Sequence, residues 1–295
     1  MKPFFSIVTP SFNQGTYLKA CLDSVQSQSE SSYEHIIVDN CSSDGSKRIL
    51  EEYAIDSRVR LLIEPDRGQS DAINKGFAMA QGEIICWLNS DDAYFPDTLI
   101  KLRKAFDDPG VKVIFGDVLQ VSYAGEHPTR AVARFEDRSD LIRWWSGRIK
   151  LHQPAVFFRR VVREKIGFLK EDLHYAMDYE YWWRMSGEYS FHYLSELLAI
   201  QHRQPSSKTM RAWHSVLEER EKIFAPYYSL LHETKAALAR ESSQALASQF
   251  LQQAYSSIER DRAGAWFYFK KALYQSPRIA LKPSSMGLIR KLILL

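Results

Sequence analysis

Cysteine is scarce in this chain of 295 residues: Cys21, Cys41 and Cys86 are odd in number and form no C-x-x-C pair, which argues against a disulfide framework and against a zinc site. Long apolar runs are missing too. Nothing approaches the roughly 18 consecutive apolar residues of a membrane-spanning helix, and the opening MKPFFSIVTP reaches Pro10 too soon for a signal peptide. These absences predict a cytoplasmic protein. Internal repeats and low-complexity stretches are also absent. The net charge is only +3, but residues 251–295 hold eight Lys or Arg against Glu259 and Asp261, a local +6, so the remainder carries −3. A body of that sign, with aromatics clustered instead of interleaved with Lys and Arg, makes nucleic acid an unexpected partner. The basic tail, mixed with AWFYF and LIRKLILL, reads in two ways. It is either a peripheral contact for an anionic membrane, at its inner face, or a set of helices packed on the protein itself with solvated charges.

What is present is enough apolar residue, 45% against 25% charged, to bury a full core. The first 120 residues alternate strand-like and helix-like segments. FSIVTP, EHIIVDN, VRLLIEP and EIICWL read as strands. Between them Leu18, Cys21, Leu22 and Val25, then Ile49, Leu50 and Tyr53, then Ala72, Ile73, Gly76, Phe77 and Ala80 keep helical spacing. This alternation predicts an α/β fold with a mostly parallel sheet, in which a ligand lies beyond the carboxyl ends of the strands. Polar residues gather at those ends: Thr9, Ser11 and Asn13; Asp39 and Asn40; Asp66 and Arg67; Asp91 and Asp92. Beyond residue 111 two strands around a turn at Gly125, a short helix DLIRWW, a strand QPAVFFRR and an aromatic helix AMDYEYWWRMS are expected. From about Trp213 the chain reads as mainly helical.

The fourth strand raises a question, because an apolar segment fit for a core runs into Asp91 beside Asp92. Adjacent residues of an extended chain point to opposite sides. The pair can serve one group only if the chain turns, as the polar run before Pro96 predicts. Two carboxylates at the mouth of a polar crevice suit Mg²⁺ or Mn²⁺, which take few protein ligands and leave room for phosphate oxygens. Two other uses compete. Either Asp could cap the helix PDTLIKLRKAF. A glycosidase acid/base pair needs groups about 5 to 9.5 Å apart across the bond being cut, and sequence neighbours about 3.8 Å apart at Cα serve that poorly.

SIVTPSFNQGTYLKACLDSVQSQ, HIIVDNCSSDGS, EPDRGQSDAINKGFAMAQGEIICWLNSDD, HQPAVFFRR and AMDYEYWWRM occur in that order. Together they resemble the family 2 glycosyltransferases, inverting enzymes of the Rossmann-like GT-A fold, over roughly residues 1–205. The resemblance implies a GT-A domain over 1–210, with a nucleotide-sugar half of about 1–110 and an acceptor half of about 111–210. Residues 211–295 would follow as a helical basic extension. Processive relatives carry membrane spans and a Q-x-x-R-W motif; this sequence has neither, which implies addition of one sugar per encounter. The implied reaction moves a sugar from a nucleoside-diphosphate sugar to an acceptor hydroxyl of a glycan or lipid-linked carrier, in bacterial surface-glycan assembly. UDP is the favoured nucleotide because Asp39 can hydrogen-bond uracil.

The same resemblance implies roles residue by residue. Thr9 and Pro10 would border the nucleoside, Asp39 would contact the base, and Gly68 and Asp71 would face the donor. Asp91 would reach the ribose and Asp92 would hold the metal, as in a D-x-D-type motif. The family often reads L-D-x-D-D, whereas Asn89 stands at the first acidic position here and brings no charge. Asp178 matches the general base, with Glu180 as the fallback. Trp182 is the ring chosen from the aromatic set to edge the acceptor pocket, next to His152 and Gln153. His202 would add a metal contact, while Arg203 and Arg67 would offset charge on the departing diphosphate. Two rival classes remain. A sugar nucleotidyltransferase needs a Gly-rich basic phosphate loop, but TPSFNQGTY has one Gly and no base. A non-catalytic sugar-nucleotide binder of the same fold is kept in view by Asn89.

Overall fold

The computed structural model describes residues 2–122, 127–203, 212–231, 233–258, 261–281 and 283–294. It divides into two compact units, one of residues 1–138 and 149–211, the other of 139–148 and 212–295. The turn expected at Gly125 lies outside the described residues.

The first unit is built on a nine-stranded sheet in the order β3-β2-β1-β4-β8-β6-β9-β5, with β7 pairing β6. β1 (Phe5–Ser11), β2 (Tyr33–Asp39), β3 (Val59–Ile63) and β4 (Ile84–Trp87) run parallel. Every residue of β1, β2 and β4 is buried, as expected for strands covered on both faces, and only the edge strand β3 is half-exposed. Helices α1 (Gly15–Gln26), α2 (Ser46–Tyr53) and α3 (Gln69–Met79) form the crossovers. Helix α1 buries Leu18, Cys21, Leu22 and Val25, the four positions its spacing marks. Helix α3 lies so close to β1 that a Cβ at Gly76 would stand 2.3 Å from Val8 Cγ1.

The other half of this sheet is mixed. β6 (Val113–Ser122) and β9 (Phe191–Arg203) are parallel to each other, while β8 (Val156–Arg159) runs antiparallel between β4 and β6. β7 (Thr129–Ala131) edges β6, and the two-residue β5 (Ala93–Tyr94) pairs antiparallel with β9 at Ile200 and Ala199. β5 is short but positions the site, because it ties the loop after β4 to the end of β9. Helices α4 (Thr98–Ala105), α6 (Arg160–Ile166) and α7 (Met177–Glu188) complete this unit.

The second unit is helical: α8 (Trp213–Phe224), α9 (Lys235–Ser257), α10 (Arg262–Gln275) and α11 (Pro283–Leu294). It also takes most of α5 (Arg138–Ile142) and the turn Trp144–Ser146, where the Trp145 ring stands edge-on to Tyr228 at 5.6 Å and Arg143 pairs with Glu233 at 2.6 Å. Thr234 and Asp261 cap α9 and α10 by accepting from Ala237 and Gly264 N–H. Leu288 and Leu292 are buried in this unit, so residues 288–292 belong to a packed helix. Lys270, Arg278, Arg290 and Lys291 are exposed, and so is Tyr274. Among the described residues no helix is long and apolar enough to cross a membrane.

Candidate functional site

A cleft of about 600 Å³ opens beyond the carboxyl ends of β1 to β4 in the first unit. Its walls include Pro10 and Phe12 after β1, Asn40 after β2, Asp66 and Gly68 after β3, and Asn89 and Asp91 after β4. Asp178 at the start of α7 and Gln153 before β8 face the same space. Gly68 holds φ +129°, which only glycine adopts without strain, and nothing lies within 4 Å of where its Cβ would be. Backbone is thereby exposed to whatever occupies the cleft. The loops after β1 and β2 are laced together: Asp39 accepts from Ser42 N–H and Ser42 Oγ at 2.8 and 2.7 Å, and Ser42 Oγ accepts from Asn13 N–H at 2.8 Å.

The two adjacent carboxylates part company at the turn. Asp91 lines the cleft, whereas Asp92 is 5% exposed and accepts the backbone N–H of His202 at 3.0 Å. The pairing of β5 with β9 dictates this, since it brings His202 up to the loop. Burial pushes the Asp91 carboxyl above its ordinary value, and burial together with the charge of Asp91 pushes Asp92 well above it. Neither residue caps α4, whose N-cap Asp97 makes no side-chain cap bond. The ring Nδ1 of His202 stands 2.6 Å from the carbonyl oxygen of Asp91, which can only accept, so Nδ1 carries a proton.

At the cleft wall the Asp91 carboxylate offers hard oxygens to a divalent cation, while His202 adjoins it through the Asp91 carbonyl and is not among the residues that line the cleft. A carboxylate whose negative charge is disfavoured by burial gains from a cation beside it, and a histidine fixed through Nδ1 to a carbonyl is the usual tautomer of a metal ligand. Asp91, expected to reach the ribose, is the carboxylate that faces the cleft, whereas Asp92, expected to hold the metal, is buried against the end of β9. Among the described residues no three His, Cys, Asp or Glu side chains converge as a closed metal cage.

Several residues singled out in the sequence stand outside the cleft lining. Thr9 is buried against His35 Nε2 at 2.9 Å, and Asp39 is buried in its bonds to Ser42. Asp71 is a buried anchor that accepts Arg67 N–H at 3.0 Å and lies 3.7 Å from Lys75 Nζ. Arg67 itself is 75% exposed and pairs with Asp71 and Glu171. Asn74 joins α3 to the 167–169 segment through both backbone groups of Leu169. His152 is beside the cleft, and burial lowers its pKa. Arg203 is exposed at the end of β9 and pairs in register with Ser122; residues 204–211 beyond it are outside those described.

The aromatic helix α7 gives the plainest correction. Trp182 is 3% exposed and packs on Tyr179 at 5.1 Å between ring centroids; Tyr181 lies against Phe77 and Phe158, and Trp183 lies under the Arg138 guanidinium at 3.8 Å. All four rings are buried because α7 is covered on several sides, so Trp182 is a core residue and not an acceptor platform. Glu180 is also excluded as a base, being buried between Arg184 and Lys170 at 2.9 Å from each. Asp178 remains, half-buried in the first turn with Oδ1 accepting Tyr179 N–H at 2.8 Å. Gln69, Phe12, Tyr17 and Trp87 line the cleft without having been singled out. Phe12, 55% exposed at the end of β1, carries a readable signal as a large apolar residue among polar ones. Burial raises the Cys21 and Cys86 thiols, so neither is a nucleophile.

The sequence profile described as Glycosyl transferase family 2 matches residues 6–166, from β1 to the end of α6, and takes in the cleft loops after β1 to β4. The chain belongs to glycosyl transferase family 2. Over 102 residues it is 41% identical to the teichuronic acid biosynthesis glycosyltransferase TuaG of Bacillus subtilis, covering 34% of this chain and 40% of the relative's length. The S. aureus TarS 1-349 structure in complex with UDP-GlcNAc superposes with a TM-score of 0.61 at 17% identity, over 99% of this chain and 81% of that one. The Pyrobaculum calidifontis mannosyltransferase PcManGT, in complex with GDP-Man and Mn²⁺, gives 0.59 at 16% identity, over 100% of this chain and 87% of that one. At such identities these two structures establish the shared fold, the GT-A arrangement expected of this family.

Proposed function

We propose that this family 2 chain is an inverting glycosyltransferase that moves one sugar per encounter from a nucleoside-diphosphate sugar to an acceptor hydroxyl, in the assembly of a bacterial surface glycan. The observation that carries the reading is that Asp91 and Asp178, brought from β4 and α7, line one cleft at the strand ends. The exposed Phe12 ring offers a face for the nucleobase, and Pro10 and Asn40 border it. Gly68 lets backbone N–H groups approach the diphosphate.

Asp178 takes the proton from the acceptor hydroxyl as that oxygen attacks the anomeric carbon. The new carbon–oxygen bond forms on the face opposite the diphosphate, whose bond to the same carbon breaks with its electron pair. A divalent cation, Mg²⁺ or Mn²⁺, held by Asp91 with His202 beside it, would supply charge stabilisation for the leaving diphosphate. The buried Asp92, bonded to His202 N–H, keeps Asp91 and the end of β9 in place. His152 and Gln153 lie on the acceptor side. The teichuronic acid relative supports a glycan or lipid-linked acceptor, and TarS with UDP-GlcNAc and PcManGT with GDP-Man support a nucleoside-diphosphate-sugar donor, for which a UDP-sugar is the proposal here. The exposed basic residues of α10 and α11 would bring the enzyme to the membrane's inner face.

A thermal-shift screen of UDP-, dTDP- and GDP-sugars, with and without Mn²⁺, tests the reading, because a ligand that binds only the folded state raises its melting temperature. A Mn²⁺-dependent rise with at least one of them is expected, and it should be absent in Asp91→Asn. No rise with any donor would refute it.

A further inference from the structure

The floor of the cleft carries a set of side-chain amides whose orientation follows from one group that can only donate. Trp87 Nε1 stands 2.8 Å from Asn89, so the Asn89 atom there is Oδ1. Asn89 Nδ2 then faces Gln153 at 2.8 Å, where only Oε1 can accept. Gln153 Nε2 in turn donates to the Trp87 carbonyl at 2.6 Å, which closes the ring. Gln69 Nε2 donates to the same Asn89 Oδ1 at 3.0 Å. Turning any one amide over would set donor against donor or acceptor against acceptor.

After these bonds Gln69 keeps both lone pairs of Oε1 and one N–H, and Gln153 keeps one N–H and one lone pair. Both line the cleft with Asp91 and Asp178. An aspartate at position 89 could accept from Trp87 and Gln69 but would meet Gln153 Oε1, and turning Gln153 over would set that oxygen against the Trp87 carbonyl. Asn89 is therefore matched to Gln153 and is not a weakened copy of an acidic ligand.

We propose that Gln69, Asn89 and Gln153 form a fixed neutral ledge that receives the hydroxyls of an uncharged donor sugar, with Asn89 as the positioning residue; this rests on the sugar-nucleotide reading above. A hydroxyl both donates and accepts, and so it satisfies Gln69 Oε1 and a neighbouring amide N–H together. The carboxylate of a uronate brings no proton to Oε1.

Calorimetric titration of the whole protein in Mn²⁺ with UDP, UDP-glucose and UDP-glucuronate tests this. The wild type should bind UDP-glucose more tightly than either of the others. Gln69→Ala and Asn89→Asp should each weaken UDP-glucose about tenfold, the loss of one well-placed hydrogen bond, and leave UDP within about twofold. The Trp87 indole N–H resonance, identified by its loss in Trp87→Phe, should shift in Asn89→Asp as its acceptor changes from amide to carboxylate. Equal losses for UDP and UDP-glucose would reduce the ledge to a structural brace and overturn the proposal. Tighter binding of both ligands by Asn89→Asp would make position 89 a cation ligand and overturn it as well. A wild type that binds UDP but gains nothing from glucose sinks the ledge alone, whereas one that binds none of the three takes the nucleotide reading with it.

Discussion

Replacing Asp178 with Asn removes the charge that would serve as base and keeps the side chain's size. In the structure Asp178 Oδ1 accepts the N–H of Tyr179 at 2.8 Å in the first turn of α7, and the asparagine amide oxygen can keep that bond. Folding stability should fall by no more than about 1 kcal/mol, the contribution of a carboxylate charge in the first turn of a helix. Asp178→Ala should cost about 1 kcal/mol more, because the bond from Tyr179 N–H to Oδ1 goes with the side chain. Turnover is another matter. A positioned general base contributes about 10²- to 10⁴-fold, equivalent to about 3 to 5.5 kcal/mol of barrier, and both variants should lose that factor in kcat. Single-turnover transfer of labelled sugar to an acceptor-bearing membrane extract reads the rate, and calorimetry reads donor affinity, which should stay within about twofold of wild type because no donor-facing group has gone. An Asp178→Asn enzyme within threefold of wild-type kcat would place the base elsewhere. The same variant separates an enzyme from a non-catalytic binder, since only an enzyme has turnover to lose.

Three further outcomes follow from the geometry. Trp182→Ala should destabilise the protein by about 3 to 5 kcal/mol, the cost of emptying a buried aromatic site, read as a fall in melting temperature; a stable variant with only a raised acceptor KM would return Trp182 to the acceptor pocket. Burial raises the Asp91 and Asp92 carboxyls in the folded state, so that state binds protons more tightly than the unfolded chain and, without a cation, loses stability as pH rises from the ordinary Asp value of about 4 through the raised folded values. Mn²⁺ competes with those protons, so the rise in melting temperature it gives should grow from pH 5 to pH 7.5, and a rise that ignores pH would show the ion bound elsewhere. Replacing Lys270, Arg278, Arg290 and Lys291 with Gln should weaken binding to anionic liposomes by up to about 1 kcal/mol per charge; sedimentation unchanged by the four substitutions would remove the membrane contact.

The parts of the fold that the sequence foretells are those where one local pattern answers one local environment. Leu18, Cys21, Leu22 and Val25 keep a helical period because α1 has a single buried side, and the all-apolar run of β4, Ile84–Trp87, marks a strand covered on both faces. The strand-end position of the cleft follows from alternation alone. Trp182 shows where that logic stops: adjacent rings on a helix point in different directions, but no period reveals that α7 is covered on several sides at once. The division of labour between Asp91 and Asp92 was hidden for a related reason. It depends on β5, a strand of two residues with no readable period, which pairs with Ala199 and Ile200 a hundred residues on. Asn89 looks like a missing charge in its own segment, and only its partners at positions 69 and 153 show it as a member of a closed amide ring.

On the proposed reading a nucleoside diphosphate sits at the strand ends with a divalent cation against Asp91. Anomalous diffraction at the manganese edge, from crystals soaked with Mn²⁺ and a donor identified by the thermal screen, tests it most directly. A single manganese peak beside the Asp91 carboxylate, with diphosphate density next to it, is expected. Diphosphate elsewhere in the chain, or manganese bound far from Asp91, would contradict it.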